Sequence, residues 1–383
     1  MENKTVAVLG CTGSVGSQAL DVAAKKGYKV DAVSCGKNIT AAENVIRRFG
    51  VKLCAVKDGA AASLLSAAVK DTDCKVISGE NAAADVAELT HADTVLNAIT
   101  GIAGLMPTVR TLVCGKELAL ANKESLVTAG EYVMDLARKA GKEIRPVDSE
   151  HCAVWQSLMS GKARDVKRII LTASGGPFFG YTKDMLASVT AEQALRHPTW
   201  SMGAKITVDS ATLMNKGFEV IEAAWLFGVP ADRIDVIVHR ESIIHSMVEY
   251  IDNMIIAQLG APDMRSCIQY ALTAPDRIEA VADQLDFAKL AKMTFYEPDT
   301  EVFPLLALAK RVHSMGGSYG AALNGANEVA VAAFLEDKMT LPELFEAVTE
   351  ATLASGDGIS DIDSVLAADV RARAFVGEYL KSR

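Results

Sequence analysis

The sequence lacks most of the patterns that assign a chain to a class at first reading. No uninterrupted apolar stretch approaches the roughly 18 residues of a membrane-spanning helix, so we expect no membrane partner. No signal-peptide pattern precedes the strand-like run at residues 5–9, so we expect no secretory leader. HExxH and P-loop motifs are absent, as are internal repeats and low-complexity tracts. The chemistry has to be sought in other constellations.

Paired cysteines are also missing. The seven cysteines are odd in number, scattered and never spaced as CxxC. This argues against a disulfide framework and against a thiolate metal site. It fits a chain kept in a reducing cytoplasm, which is the location that we expect.

The chain has no excess of positive charge. Lysine and arginine total 39 against 48 acidic residues, which gives a net charge of −9. This balance does not favour a protein that coats nucleic acid, because phosphate backbones bind to positive patches. It still allows a small anionic ligand held by a few local groups.

The length and the order of elements predict more than one domain. At about 150 residues per domain, 383 residues predict two or three. Short β-rich runs alternate with amphipathic helices over residues 1–149, which predicts an α/β fold with a Rossmann-like, doubly wound parallel sheet. Residues 150–273 are expected to form a central α+β domain whose strands include 206–208, and 252–253 are expected to form a hairpin turn. We expect a linker at 274–300 and a small helical domain at 301–383.

A glycine-rich string follows the first predicted strand and opens the first predicted helix. Residues 10–16 read GCTGSVG, with the spacing GxxGxxG. Glycines allow a sharp turn and close approach to a pyrophosphate, which the helix amino end would bind. A tight turn without a ligand is the alternative.

The second strand indicates which dinucleotide would bind. It ends in Cys35-Gly36-Lys37-Asn38, without the carboxylate that holds the ribose 2′-hydroxyl of NAD. Asp31 lies too early on the strand. Lys37 and Asn38 suit a 2′-phosphate and so favour NADP, whereas the alternative is an ordinary exposed loop lysine.

Two polar strings near the end of the α/β region could carry chemistry. In Asn122-Lys123-Glu124 the lysine could anchor an anion or polarise a carbonyl, or the string could be a solvated helix start. Asp148 and Glu150 are two apart, which places both carboxylates on one side of an extended segment. Such a pair is a half-site for Mg²⁺ or Mn²⁺, and the alternative is a helix cap.

Two loops of the central region could bind or cover a ligand. Residues 174–177 read SGGP after a predicted strand, and could present a hydroxyl and amides to a phosphate or be a plain turn. Residues 196–203 carry Trp200 and Met202, which could close over a ligand as a lid or anchor the loop in the core.

Residues 209–222 form the strongest constellation. Met214, Phe218, Ile221 and Trp225 lie at helical spacing and predict an apolar stripe. A second face gathers an amide, an ammonium and carboxylates that could hold an anionic sugar and a metal; these are Asn215, Lys216, Glu219 and Glu222. The alternative is an exposed Lys–Glu pair of the kind common on helices. By contrast, His239, Glu241 and His245 are interpreted as structural.

Taken together, these strings closely resemble the 1-deoxy-D-xylulose 5-phosphate reductoisomerase family over nearly the whole chain. The matching motifs lie at residues 10–16, 122–125, 146–151, 174–178, 197–203, 208–219, 260–265 (GAPDMR) and 324–328 (NGANE).

The resemblance implies an activity and its requirements. The family converts 1-deoxy-D-xylulose 5-phosphate to 2-C-methyl-D-erythritol 4-phosphate in non-mevalonate isoprenoid biosynthesis. It would make this chain a homodimeric oxidoreductase that uses NADPH and a divalent cation, Mg²⁺ or Mn²⁺. Residues 1–149 would then bind NADPH, and 150–273 would carry catalysis and dimerisation.

The resemblance also implies roles for individual residues. The implied NADPH contacts are Thr12, Gly13, Ser14, Val15, Gly36, Lys37, Asn38, Asn122, Glu124 and Gly203. The implied metal ligands are Asp148, Glu150 and Glu219, which are counted as catalytic together with Lys123 and His197. The implied substrate contacts are Lys123, Ser149, Glu150, Ser174, His197, Trp200, Met202, Ser210, Asn215, Lys216 and Glu219.

Two other functions fit part of the pattern. A metal-free NADP-dependent dehydrogenase of another phosphorylated sugar or amino-acid aldehyde would keep its activity after chelation of metals. An NADP-sensing regulator would bind NADPH without turnover, although a sensor needs no second polar constellation.

Overall fold

The computed structural model describes residues 4–382. Residues 1–3, which belong to the stretch where no secretory leader is expected, lie outside the description, as does Arg383. Two compact units emerge, and each is described by itself. The first comprises Met1–Ser125, Val133–Cys152 and Asp263–Asp283, and the second comprises Leu126–Tyr132, Ala153–Pro262 and Gln284–Arg383.

The first unit is built on a seven-stranded parallel sheet. Its strands are β1 (Thr5–Leu9), β2 (Lys29–Cys35), β3 (Leu53–Val56), β4 (Lys75–Ser78), β5 (Thr94–Asn97), β6 (Glu117–Leu120) and β7 (Ile144–Pro146). The strand order is β4-β3-β2-β1-β5-β6-β7, so the order reverses at β1. Strands β2, β3 and β4 lie on one side of β1, and strands β5, β6 and β7 lie on the other. This confirms the predicted Rossmann-like sheet, whose ligand crevice lies at such a reversal.

Helices connect these strands, and fully buried aliphatic strand residues form the core beneath them. The helices up to residue 158 are α1 (Ser14–Lys26), α2 (Ile39–Phe49), α3 (Gly59–Ala68), α4 (Ala82–Leu89), α5 (Leu105–Val113), α6 (Glu124–Ala140) and α7 (Ser149–Leu158). Left-handed glycines at residues 27, 50 and 141 end α1, α2 and α6, because glycine adopts that conformation without steric cost.

The second unit contains a four-stranded mixed sheet with the order β11-β10-β8-β9. Its strands are β8 (Val166–Ala173), β9 (Ile234–Val238), β10 (Ile244–Tyr250) and β11 (Ile255–Leu259). Strands β8 and β9 are parallel, and the other neighbours are antiparallel. A tight turn with Asn253 in the left-handed region joins β10 to β11, as the sequence predicts.

The remaining helices belong mostly to the carboxyl-terminal half. They are α8 (Lys183–Leu186), α9 (Ala191–Ala194), α10 (Ala204–Ala211), α11 (Met214–Phe227), α12 (Met264–Thr273), α13 (Leu305–Met315), α14 (Tyr319–Leu335), α15 (Leu341–Ser355) and α16 (Ile362–Lys381). Helices α13 to α16 confirm the predicted helical carboxyl-terminal region. Residues 274–300 contain no helix or strand beyond one isolated bridge at Tyr296, and the partition into domains at 149, 273 and 300 stays a prediction.

One predicted strand is wrong. Residues 206–208 lie inside α10, not in a strand. Ile206, Thr207 and Val208 are β-branched and favour strands weakly, but α10 packs against α11 and α14, and such packing overrides intrinsic propensity. In the part of the chain that the structure describes, no helix is both long and apolar enough to cross a membrane.

Candidate functional site

The glycine-rich string forms a turn that only glycines fit. Gly10 has a φ of +80°, and a Cβ there would lie 2.7 Å from the carbonyl oxygen of Ala98. A Cβ on Gly16 would lie 2.2 Å from the carbonyl oxygen of Gly10. Helix α1 starts at Ser14, and its N-cap, Gly13, supplies no side-chain hydrogen bond. The first amides of α1 therefore lack a capping side chain and lie where an anion could accept their hydrogen bonds.

The end of β2 carries no carboxylate that could hold a ribose. Asp31 is buried, and its carboxylate accepts hydrogen bonds from the Thr90 hydroxyl and the His91 amide, each at 2.8 Å. Lys37 is exposed just after the strand. Asn38 accepts a hydrogen bond from the amide of Ala41 and so caps α2.

The string Asn122-Lys123-Glu124 is buried, so it is not a solvated helix start. The exposed fractions of the three residues are 2%, 7% and 5%. The Asn122 amide group donates to the carbonyl oxygens of Ile99 and Gly101 at 2.7 and 2.9 Å, which ties the loop after β5 to the start of α6. The Lys123 ammonium lies 3.0 Å from a carboxylate oxygen of Asp148.

Asp148 and Glu150 do not lie on an extended segment as expected, because α7 begins at Ser149. Oδ1 of Asp148 accepts hydrogen bonds from the amides of Glu150 and His151 at 3.0 and 3.3 Å, which is the capping arrangement. The two carboxylates nevertheless come together, with oxygens within 4.8 Å of each other. Asp148 therefore caps a helix with one oxygen and leaves the other beside Lys123.

In the second unit, His197 bridges two serine hydroxyls. Its Nε2 lies 2.9 Å from Oγ of Ser174 and 3.2 Å from Oγ of Ser210. Its Nδ1 accepts hydrogen bonds from the amides of Thr199 and Trp200 at 3.2 and 2.9 Å. An Nδ1 that accepts from amides carries no proton, so the proton of the neutral ring is on Nε2.

Burial reinforces the neutral state of this ring. Burial and, to a smaller extent, the positive charge of Arg240 together lower the pKa of His197 to about 4. His197 is therefore a hydrogen-bond donor from Nε2 at neutral pH, rather than a cation or a base at that atom.

The turn that carries Ser174 depends on two left-handed glycines. Gly175 and Gly176 have φ values of +78° and +66°. A Cβ on Gly176 would lie 2.7 Å from the carbonyl oxygen of Ser210, so only glycine allows the turn to lie against the end of α10. Ser174 and Ser210, which are 36 residues apart, share His197 for this reason.

Helix α11 brings together the ammonium, amide and carboxylate groups of the strongest predicted constellation. Nδ2 of Asn215 donates to Oε1 of Glu219 at 2.6 Å, and the Lys216 ammonium pairs with Oε2 of the same carboxylate. Lys216 and Glu219 are 3% and 1% exposed, so the alternative of an exposed surface pair is wrong. A carboxylate buried this fully with a cation and an amide is costly to desolvate, which makes Glu219 a candidate functional residue.

The apolar stripe of α11 packs in the core. Met214 and Phe218 are fully buried. A Cβ on Gly217 would lie 2.7 Å from Cβ of Ala309, so the interior glycine lets α13 approach α11 closely. This close approach explains why Gly217 stands inside the helix, although glycine weakens an isolated helix.

The loop at 196–203 contains neither helix nor strand. Trp200 is half-buried, with its ring centroid 6.3 Å from that of His245, and Met202 is half-buried as well. Gly203 is the extended N-cap of α10. Whether the loop closes as a lid stays a prediction.

Two buried contacts that sequence reasoning missed support the serine end of α10. Asp209 lies 2.9 Å from the Lys205 ammonium and accepts a hydrogen bond from Asn327 at 2.8 Å. Asn327 belongs to the NGANE string at residues 324–328, and that string alone does not indicate this contact. Arg240 donates to the carbonyl oxygens of Ser174 and Gly176, and no spacing pattern in the sequence marks it.

Family models match three stretches of the chain. Residues 6–130 match the 1-deoxy-D-xylulose 5-phosphate reductoisomerase model, residues 144–227 match the model of the carboxyl-terminal domain of that enzyme, and residues 259–375 match a second DXP reductoisomerase carboxyl-terminal domain model.

Curated relatives and solved structures agree with these matches. The chain is 51% identical to 1-deoxy-D-xylulose 5-phosphate reductoisomerase of Acetivibrio thermocellus over 98% of this chain and 99% of that one. It is 50% identical to the Exiguobacterium sibiricum enzyme over 97% and 98%. The Zymomonas mobilis enzyme in complex with NADPH superposes with a TM-score of 0.92 at 40% identity over the full length of both chains. A DOX-P reductoisomerase in complex with NADPH, fosmidomycin and magnesium gives 0.93 at 34% identity, covering 99% of this chain and 98% of that one.

Proposed function

Because the chain belongs to the 1-deoxy-D-xylulose 5-phosphate reductoisomerase family, we propose that it isomerises and reduces 1-deoxy-D-xylulose 5-phosphate to 2-C-methyl-D-erythritol 4-phosphate. It uses NADPH and a divalent cation and serves non-mevalonate isoprenoid precursor biosynthesis. The observation that carries the proposal is the buried Lys216–Glu219 pair of α11, with Asn215 half-buried beside it. Two relatives, 40% and 33% identical to this chain, have been solved with NADPH and with magnesium, respectively.

The acidic residues fit a hard divalent cation. Asp148 and Glu150 bring carboxylate oxygens within 4.8 Å of each other. Two negative charges at this separation repel each other unless a cation neutralises them. All the donors are oxygens, which suits Mg²⁺ or Mn²⁺ and not a thiolate-bound metal. We assign Asp148, Glu150 and Glu219 as the ligands. When bound, the cation supplies Lewis acidity toward the oxygens of the substrate.

The side chains around these ligands position charge and protons. Lys123 offsets the negative charge of Asp148, and its ammonium can also donate to a substrate oxygen. The Ser149 hydroxyl donates to Oε2 of Glu150, which orients that carboxylate. These contacts fix the acidic group before any ligand binds, which lowers the reorganisation that turnover requires.

The second unit supplies donors for the phosphate of the substrate. Ser174, Ser210 and neutral His197 form one hydrogen-bonded group, and Asn215 and Lys216 add an amide and an ammonium from α11. Binding energy at a phosphate remote from the reacting carbons can drive closure of the loop with Trp200 and Met202. Exclusion of water by that loop would protect a reactive aldehyde.

The NADPH site is assigned to the crevice beside β1. The amino end of α1, from Thr12 to Val15, would bind the pyrophosphate. The 2′-phosphate would be held by Gly36, Lys37 and Asn38. Asn122, Glu124 and Gly203 are the remaining assigned contacts. NADPH supplies the hydride when bound.

The activity has a direct test. The purified chain is mixed with NADPH, Mg²⁺ and 1-deoxy-D-xylulose 5-phosphate, and NADPH oxidation and the product are measured. The proposal expects stoichiometric formation of 2-C-methyl-D-erythritol 4-phosphate. NADPH binding without turnover would instead indicate a sensor.

Replacing Lys37 by alanine is expected to lower the preference for NADPH over NADH about tenfold, since one charge-assisted phosphate contact contributes on the order of 1.4 kcal/mol. The kcat/KM values for both cofactors are compared. Lys57→Ala is the matched control, because Lys57 is an exposed lysine directly after β3. An unaltered ratio in Lys37→Ala, or an equal change in the control, would remove Lys37 from the site.

We propose further that the chain forms a homodimer through the edge of the mixed sheet. Among residues 4–382, strand β11 pairs only with β10, and Ile255 and Ile256 are 49% and 37% exposed. An exposed apolar edge strand is a surface that natural proteins cover. Sedimentation is expected to give a dimer for the wild type and a monomer for Ile255→Lys. Leu64→Lys, at an exposed leucine of α3, should remain dimeric; a monomeric wild type would contradict the proposal.

The remaining assignments are organisational. Residues 1–149 are proposed to bind NADPH and 150–273 to carry catalysis and dimerisation, with a linker at 274–300 before the helical region. A cytoplasmic location is proposed because all seven cysteines are free thiols.

A further inference from the structure

Arg240 follows the carboxyl end of β9 and contacts the turn that carries Ser174. Its Nη1 donates to the carbonyl oxygens of Ser174 and Gly176, at 2.5 and 2.8 Å. Its guanidinium carbon lies over the ring of Phe179, 5.0 Å from the ring centroid. The side chain is thus held on two sides, by the turn and by an aromatic ring.

The charge of Arg240 has no carboxylate partner within ion-pair distance among residues 4–382. The nearest acidic neighbour along the chain is Glu241, whose carboxylate accepts hydrogen bonds from the amide and hydroxyl of Thr294 at 3.0 and 2.8 Å. Burial lowers the pKa of Arg240, but a guanidinium stays protonated at any physiological pH. A half-buried positive charge therefore lies directly behind Ser174.

We infer that Arg240 is a positioning residue for the substrate phosphate. By holding both carbonyls of the Ser174–Gly176 turn, it fixes the Ser174 hydroxyl opposite His197, and it adds positive potential where the phosphate binds. The inference rests on the proposed function, because it deepens the phosphate site assigned there. It extends that site by a residue that acts through the backbone of the Ser174–Gly176 turn.

The geometry of the turn explains why a cation is needed at this point. Gly175 and Gly176 both adopt left-handed conformations, so the turn has little intrinsic rigidity. The Gly176 amide donates to Oγ of Ser174 at 3.2 Å, and the two carbonyls point outward to Arg240. Arg240 also favours the neutral form of His197, which keeps Nε2 a donor.

The test compares Arg240→Gln and Arg240→Lys with the wild type. Arg240→Gln removes the charge, and Arg240→Lys keeps it while losing the planar donor. The matched control is Arg233→Gln, because Arg233 lies at the opposite end of the same strand and also donates to a backbone carbonyl, that of Val166. KM for 1-deoxy-D-xylulose 5-phosphate, KM for NADPH, kcat and thermal stability are measured for each protein.

We expect Arg240→Gln to raise KM for the sugar phosphate at least about tenfold while KM for NADPH changes less than about twofold, since only phosphate binding loses a charged support. Arg240→Lys should fall between Arg240→Gln and the wild type, and Arg233→Gln should match the wild type. An unchanged KM for the sugar phosphate in folded Arg240→Gln, or an equal rise in both KM values, overturns the inference. If Arg240→Gln does not fold, a wild-type KM in Arg240→Lys overturns it.

Failure of the proposed function is recognised separately. A wild-type chain that folds and binds NADPH but does not turn over the substrate contradicts the proposed reaction. Binding of inorganic phosphate, measured by calorimetry, then decides the role of Arg240. Weaker binding in Arg240→Gln than in Arg233→Gln supports it, and equal binding overturns it.

Discussion

Replacing Asp148 by asparagine is expected to lower kcat at least about a hundredfold, because loss of a charged group that stabilises developing charge costs rate on this scale. Asparagine retains an oxygen at the position that accepts the amides of Glu150 and His151, so α7 keeps its cap. It removes the negative charge beside Lys123 and from the cation site. The expected result is loss of turnover with NADPH affinity nearly unchanged.

Asp148→Ala separates the two tasks of this side chain. Alanine removes both the charge and the cap, so kcat should fall as in Asp148→Asn, while the free energy of unfolding falls by about 1 kcal/mol more. Denaturant titration measures the difference between the two variants. If Asp148→Asn retained wild-type turnover, Asp148 could not be a metal ligand.

Replacing Glu219 by glutamine is expected to reduce both turnover and stability. The carboxylate is 1% exposed and pairs with Lys216, so glutamine leaves a buried ammonium without that negative partner. Removing one member of a buried pair costs about 3–5 kcal/mol. Turnover should fall at least about a hundredfold, as for the loss of any charged group at the reacting centre.

A double variant tests whether the loss of stability comes from the charge of Lys216 that Glu219 no longer neutralises. Combining Glu219→Gln with Lys216→Met removes both charges, so part of the stability should return while turnover stays low. Glu131→Gln, at an exposed position of α6, is the control and should behave as the wild type. Because Lys216 is itself assigned to the substrate, the chemistry is tested in the single variant, and wild-type turnover in folded Glu219→Gln would show that Glu219 is not needed for the reaction.

The sequence predicts the architecture of the first unit well, because its signals are local. The strand residues 5–9 and 75–78 alternate with helices at a spacing that allows few other folds. The glycine string also has a local cause, since Gly10 and Gly16 are needed within a single turn.

Predictions fail where tertiary packing decides. The β-branched run at 206–208 predicts a strand, but neighbouring helices stabilise α10 there. The spacing of Asp148 and Glu150 predicts an extended segment, but a helix begins there. Asp148 caps this helix and still brings its carboxylate close to that of Glu150. The sequence alone also cannot show that Lys216 and Glu219 are buried. Burial is the property that distinguishes them from an exposed surface pair.

Arg240 shows the same limit for function. It lies 66 residues from Ser174 in the chain, and β9 pairs with β8 in parallel so that the carboxyl ends of both strands meet. Only this register places a guanidinium behind the Ser174 turn. No spacing within the sequence encodes that meeting.

We propose that turnover of the sugar phosphate requires a divalent cation held by carboxylates. The most direct measurement is NADPH oxidation with 1-deoxy-D-xylulose 5-phosphate after removal of metal with EDTA, followed by addition of excess Mg²⁺, with NADPH binding monitored in parallel. We predict that turnover disappears with EDTA and returns with Mg²⁺, while NADPH stays bound throughout. Full turnover in the metal-free protein would contradict the account.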